Sequence, residues 1–221
     1  MHIDTDEFVA PSRLFRQMKP DYVKIQPIDQ PGSVLNLIQQ VVNMTADLVN
    51  YPCISMPRIL FGSVETNKWQ LLLDAPDGFN PMKFETIRWR YHSNPRDRTL
   101  NGEPKVILDV SAIPSNEFQD VLSSIHRPVP QYCKDNDELQ FSQSRKQPIA
   151  TNHYVGSWDR YSRRDDRRRN REAYKTRAQL RRRNDDGLEI WLKGFVREFT
   201  PKIAAKLLGK AYLLDGNQTT I

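Results

Sequence analysis

The stretch Met1–Ala10 carries the densest chemistry in the chain: Ile3 leads into Asp4-Thr5-Asp6-Glu7, and Phe8-Val9 close it. Residues two apart on an extended backbone leave the same face, so a following bend can turn Asp4 and Asp6 toward one hard cation at a strand end. Oxygen ligands suit Mn²⁺ or Mg²⁺, and such ions hold a diphosphate by neutralising charge on the leaving phosphate. A solvated turn or a helix N-cap is the competing reading of the same two carboxylates.

The rest of the chain must position that stretch. Its 221 residues, 38% hydrophobic and 27% charged, suffice for one sizeable core. No run approaches the roughly 18 consecutive apolar residues of a membrane span, and no apolar leader is read after Met1. The net charge of +6 suggests a nucleic-acid binder until its location is considered. Between Arg160 and Arg183 there are twelve Lys/Arg against three Asp/Glu, a local +9, so the remainder carries −3. Basicity therefore belongs to one segment. Cys53 and Cys133 lack metal-ligand spacing and are either buried thiols or one long-range disulfide. The sequons Asn43-Met44-Thr45 and Asn217-Gln218-Thr219 fit a lumenal protein.

Along the chain, residues 11–19 are expected to form a short helix and residues 22–26 a half-buried strand. Ser33 can cap a helix running to about Asn50, with Val34, Leu37, Ile38, Val41, Val42 and Leu48 mostly on one face. Residues 53–62 read as a buried strand broken by Pro57. The alternation from Phe84 to His92 is the best strand signal, and Lys105–Val110 is expected to neighbour it, as a hairpin or adjacent strand. One short helix is expected within residues 113–132, and a loop over residues 133–147. Ile149–Val155 is strand-like and stops at Gly156. The basic segment from Trp158 to Arg183 lacks Pro and Gly and reads as helix, mostly exposed. Residues 188–208 form two amphipathic pieces split by Thr200-Pro201, and a frayed tail is expected from Asp215.

Taken in order, the segments DTDEF, SMPRILFGSVE, KFETIRWRYH, KVILDVSAIP with SIHRPVPQYC, and NHYVGSWDRYSRRDD resemble glycosyltransferase family 92 and related nucleotide-sugar transferases, from Ile3 to about Leu208. The resemblance implies an α/β chain: an incomplete GT-A-like mixed sheet flanked by helices, with a basic C-terminal helical segment. Residues 1–157 would be the C-terminal part of the catalytic domain, and residues 158–221 the basic and amphipathic helices packed on it. It further implies a divalent cation, an inverting transfer from a nucleotide-sugar donor to a glycan or glycoprotein acceptor, and a Golgi membrane protein whose lumenal setting would join Cys53 to Cys133. In such enzymes the strands and helices holding the base and ribose precede the DxD motif, here three residues from Met1. The chain is thus expected to be a truncated transferase, inactive alone and prone to aggregate, with its membrane anchor missing.

Roles follow from the resemblance and from chemistry. Asp4 and Asp6 would bind Mn²⁺ or Mg²⁺ with His153, supported by Glu7 behind them, since a neutral imidazole is a good Mn²⁺ ligand. His153 can equally be a satisfied strand histidine, and His126 is held in reserve. An acceptor hydroxyl needs a carboxylate to take its proton, and Glu65 and then Asp77 are the candidates, each readable as an ordinary loop carboxylate. Trp158 and Tyr161 offer flat faces for a sugar ring or for core packing. Arg160, Arg163 or Arg164 can face a diphosphate bidentately, although a solvated face is the default. No nucleic-acid partner is expected of a transferase. The alternative is a non-enzymatic basic adaptor that binds RNA or acidic surfaces through residues 160–183.

Overall fold

Pro57 sits inside an apolar run and has no N–H to give a ladder, so the chain around it divides into two strands that serve different sheets. The computed structural model describes residues 7–12, 30–44, 52–66, 80, 84–102, 104–122, 131–133, 149–163, 170–181 and 187–208. The strands are β1 (Glu7–Pro11), β2 (Cys53–Met56), β3 (Arg58–Phe61), β4 (Lys105–Leu108) and β5 (Ile149–Tyr154). The helices are α1 (Ser33–Met44), α2 (Arg98–Asn101), α3 (Phe118–Leu122), α4 (Trp158–Ser162), α5 (Arg171–Ala178) and α6 (Gly187–Leu208). Glu85–Arg88, Val110–Ala112 and Ser115–Glu117 are 3₁₀ turns.

The sheet β1-β5-β3 is mixed. β1 runs antiparallel to β5, from Glu7↔His153 to Pro11↔Ile149. The N–H groups of Thr151 and Val155 donate to the carbonyls of Pro57 and Phe61, both at four-residue steps in the same direction, which makes β5 and β3 parallel. The second sheet is the antiparallel ribbon β2-β4, from Cys53↔Leu108 to Met56↔Lys105. The chain is thus α/β, with one mixed and one antiparallel sheet flanked by helices.

Two compact units are formed. The first comprises residues 1–26, 32–60 and 93–153. Gly32 (φ +79°) turns the chain into α1, whose first turn is closed by Asn36 N–H donating to the Gly32 carbonyl at 2.9 Å. Leu37 of α1 packs on Ile54 and Met56 of β2 and Ile149 of β5, with Val9, Ile38 and Ile107 against them. Beside this core Cys53 and Cys133 are joined by a disulfide and pack with Val106 and Leu108. The outer edge of β3 is covered: Leu60 N–H donates to Asn101 Oδ1 at 3.0 Å, and the Leu60 carbonyl accepts from Ser93 N–H at 2.9 Å.

The second unit comprises residues 27–31, 61–92 and 154–221, so residues 61–92 join the C-terminal helices. Phe61 stacks on Tyr154 at 4.6 Å and meets His92 at 5.2 Å. Leu188, Leu192, Val196, Ala204 and Ala205 of α6 are buried. α6 kinks at Thr200 (φ +65°, ψ +156°) ahead of Pro201, where the missing N–H interrupts the helix bonds.

Several expectations are corrected. Residues 84–92 do not form a strand: Glu85–Arg88 is a 3₁₀ turn, followed by isolated bridges that include Glu65↔Trp89 and Phe61↔His92. Phe84, Thr86, Ile87, Trp89 and Arg90 are all buried, so the segment has no single wet face and the alternation of residue types does not track burial. β4 consequently pairs with β2 rather than with that segment. Strand β1 as described runs from Glu7 to Pro11, where a helix was expected to start; residues 13–19 of that expected helix lie outside the described residues. The basic segment is not one helix, because Asn170 is an extended N-cap whose side chain accepts from Glu172 N–H, so α5 starts afresh. Among the described residues, no helix is long and apolar enough to cross a membrane.

Candidate functional site

β1 and β5 bring the residue that follows Asp4-Thr5-Asp6 opposite a histidine. Glu7 and His153 are direct cross-strand partners, so their side chains share one face of the sheet, and both are buried. The Glu7 carboxylate does not face solvent. Its Oε2 lies 3.2 Å from Lys105 Nζ and its Oε1 3.7 Å from an Arg58 Nη, with the Glu7 and Lys105 side chains 0% exposed.

The arginine of this cluster is itself held in place. Arg58 Nε donates to the Asn101 carbonyl at 2.8 Å, while the Asn101 side-chain amide donates to the Asn94 carbonyl at 2.8 Å and its Oδ1 accepts from Ser93 Oγ. Gly102 (φ +62°) turns the chain beside it, and a Cβ at Gly102 would come within 3.1 Å of the Arg58 guanidinium. A turn that requires glycine therefore also leaves room for the cation. Nothing in the local pattern announces this triad, because its members lie on β1, β3 and β4.

Glu7 is thus engaged by two cations, which suits a residue that holds the strand rather than one that ligates metal. His153 is the described member of the expected ligand set; Asp4, Asp6, the reserve His126 and Arg164 lie outside the described residues. Among the described residues, no group of three His, Cys, Asp or Glu converges to hold a metal. A strand continued straight back from Glu7 would turn Asp6 to the face opposite His153. A cation shared by both requires the backbone to bend ahead of Glu7.

The other candidates belong to the second unit. Glu65 bridges to Trp89, and its carboxylate pairs with an Arg88 Nη at 3.0 Å while the side chain stays 42% exposed, open to an approaching hydroxyl. Asp77 lies outside the described residues. Arg160 is 62% exposed and 3.9 Å from Glu85, and Arg163 pairs with Asp159 one turn earlier at 2.8 Å, as a solvated helix face does. Arg90, unmarked by the pattern, is buried against Glu189.

The two aromatic candidates divide. Tyr161 is 2% exposed and is a core residue, so its stacking role is withdrawn. Trp158 is half-buried, its indole 5.2 Å from Tyr174 in an edge-on contact and 6.3 Å from Tyr161. Tyr174 was missed because its helix reads as a run of charges; its hydroxyl donates to the Gly156 carbonyl at 3.3 Å. No family model, no curated protein and no solved structure matches this chain.

Proposed function

We propose that the chain is a glycosyltransferase of the GT-A type that moves a hexose from a nucleotide diphosphate to a hydroxyl of a glycan or glycoprotein. One observation carries the reading: the register Glu7↔His153. It makes the residue next to the DxD sequence the cross-strand neighbour of the histidine expected as the third ligand, across 146 positions of sequence. Asp4, Asp6 and His153 would hold Mn²⁺ or Mg²⁺. When bound, the cation supplies neutralising charge for the diphosphate leaving group.

The chain's own groups do the rest. Glu7, fixed by Lys105 and Arg58, anchors β1 directly after the two aspartates. Glu65, in the second unit, has the chemistry to take the proton of an attacking acceptor hydroxyl. Arg160 and Arg163, each near a carboxylate in this structure, are the second unit's candidates for phosphate oxygens, and Trp158 is its flat apolar face for a sugar.

Titration of the whole chain with Mn²⁺, followed by the electron paramagnetic resonance of the free ion, tests this. Wild type should bind one ion. Asp6→Asn and His153→Ala should lose that ion while keeping their circular dichroism. Equal Mn²⁺ binding by all three proteins would sink the assignment. The second reading, a basic adaptor, draws on exposed arginines of the basic segment, and salt-sensitive RNA binding with no metal dependence would favour it.

A further inference from the structure

We propose that Trp158 and Arg171 form a subsite for an acidic saccharide, in which an oxyanion borne by the sugar, a sulfate ester or a uronate carboxylate, is read by the Arg171 guanidinium. Three aromatic rings build its floor. Tyr161, buried, lies 5.1 Å from Tyr174, and Tyr174 meets the edge of Trp158 at 5.2 Å and 62°, so the indole is wedged in one orientation. Trp158 and Tyr174 remain half-buried and keep part of their surface in solvent. The Arg171 guanidinium carbon lies 5.7 Å from the Trp158 ring centroid, within reach of the ring's negative face. An arginine steadied on an aromatic plane has its planar fork ordered before a ligand arrives, which favours bidentate contact with a carboxylate or sulfate.

What distinguishes Arg171 is how its neighbours are engaged. Arg163 pairs with Asp159, Lys175 with Glu172 at 2.7 Å, and Arg160 approaches Glu85. Among the described residues, no carboxylate pairs with Arg171, which is exposed. Arg171 therefore offers a point site for one anion beside an apolar ring face. An acidic sugar, with an apolar C–H face and one charged substituent, fits the point site. If the transferase reading holds, this ligand is the acceptor; the word acceptor rests on that reading, and the binding site does not.

Calorimetric titration of the whole chain with four oligomers of similar length tests the proposal: a sulfated tetrasaccharide, an oligogalacturonate, a neutral cellotetraose and a single-stranded RNA. One or both acidic sugars should bind, and the better one names the oxyanion. Arg171→Gln should weaken that binding at least ten-fold, Arg171→Lys by less, and Trp158→Phe measurably, while Lys175→Gln changes it less than two-fold. Equal binding of acidic and neutral sugars, an equal loss in Arg171→Gln and Lys175→Gln, or tighter binding of RNA than of either acidic sugar overturns the proposal. Binding of the acidic sugar without Mn²⁺ binding would sink the transferase reading alone. Mn²⁺ binding without acidic-sugar binding would sink the subsite alone.

Discussion

Lys105 Nζ and Glu7 Oε2 lie 3.2 Å apart with both side chains wholly buried, joining the first strand to the strand that follows Gly102. Removing one partner of a buried ion pair leaves the other charge without solvent, whereas replacing both with neutral groups of similar shape removes the problem. Lys105→Met should therefore destabilise by about 3–5 kcal/mol. The double variant Lys105→Met/Glu7→Gln should recover part of that loss, Arg58 remaining near the neutral amide. Urea denaturation of the four proteins checks it, and additive losses in the double variant would contradict a direct pair.

Gly62 is required by space rather than by backbone angle. A Cβ built there would meet the Ala178 carbonyl oxygen at 2.4 Å, and that oxygen already accepts from Ser63 N–H at 2.8 Å. Neither group is the free end of a flexible side chain, so the clash must be relieved by backbone movement. Gly62→Ala should lose about 1–3 kcal/mol, as overpacking does. A melting temperature equal to wild type would show that the α5 terminus yields freely.

The features legible in the sequence are those whose cause is local. Pro57 splits two strands, Gly156 ends β5 with φ +83°, and Thr200-Pro201 kinks a helix, each through one residue's own backbone chemistry, whereas the helix expected to be capped by Ser33 starts at it, behind the Gly32 carbonyl. Residues 84–92 misled because alternation reports a strand only when one face is wet, and here Thr86 and Arg90 are buried with their apolar neighbours. The partner of β4 was illegible for a related reason: adjacency along the chain says little about which of two apolar runs a strand joins. At the candidate site His153 was legible through its strand, while Lys105 and Arg58 were not, since a lone cation at a strand end normally signals solvent.

Asp109 supplies a pH test that is independent of the functional reading. Its side chain accepts from both Ser111 N–H at 3.0 Å and Ser111 Oγ at 2.6 Å, and these bonds hold its carboxyl below the usual aspartate range. A carboxyl depressed in the folded state contributes stability that is present above the unfolded value of about 3.9 and is lost as pH falls through the folded value. Carboxyl-carbon NMR should place the Asp109 midpoint below that of a free aspartate. Asp109→Ala should raise amide exchange over residues 110–112 at neutral pH, and by less at a pH below the folded midpoint, where the neutral carboxyl accepts more weakly.

The Cys53–Cys133 bond closes a loop across 80 residues of sequence with the Cα atoms 5.0 Å apart. On the chain-entropy estimate a closure of that length stabilises by roughly 4 kcal/mol, mostly by restricting the unfolded chain. Cys53 belongs to β2 and Cys133 packs on Val106 of β4, so the bond also pins the ribbon whose last pair is Met56↔Lys105. Cys133→Ser should therefore lower the urea midpoint by the equivalent of about 2–4 kcal/mol. Both sulfurs are buried, so an added thiol can attack only after local opening, and reduction by dithiothreitol should accelerate with urea well below the unfolding midpoint. Mass spectrometry under non-reducing conditions should find one 53–133 linked peptide. Two alkylated cysteines in protein purified under oxidising conditions would overturn the linkage.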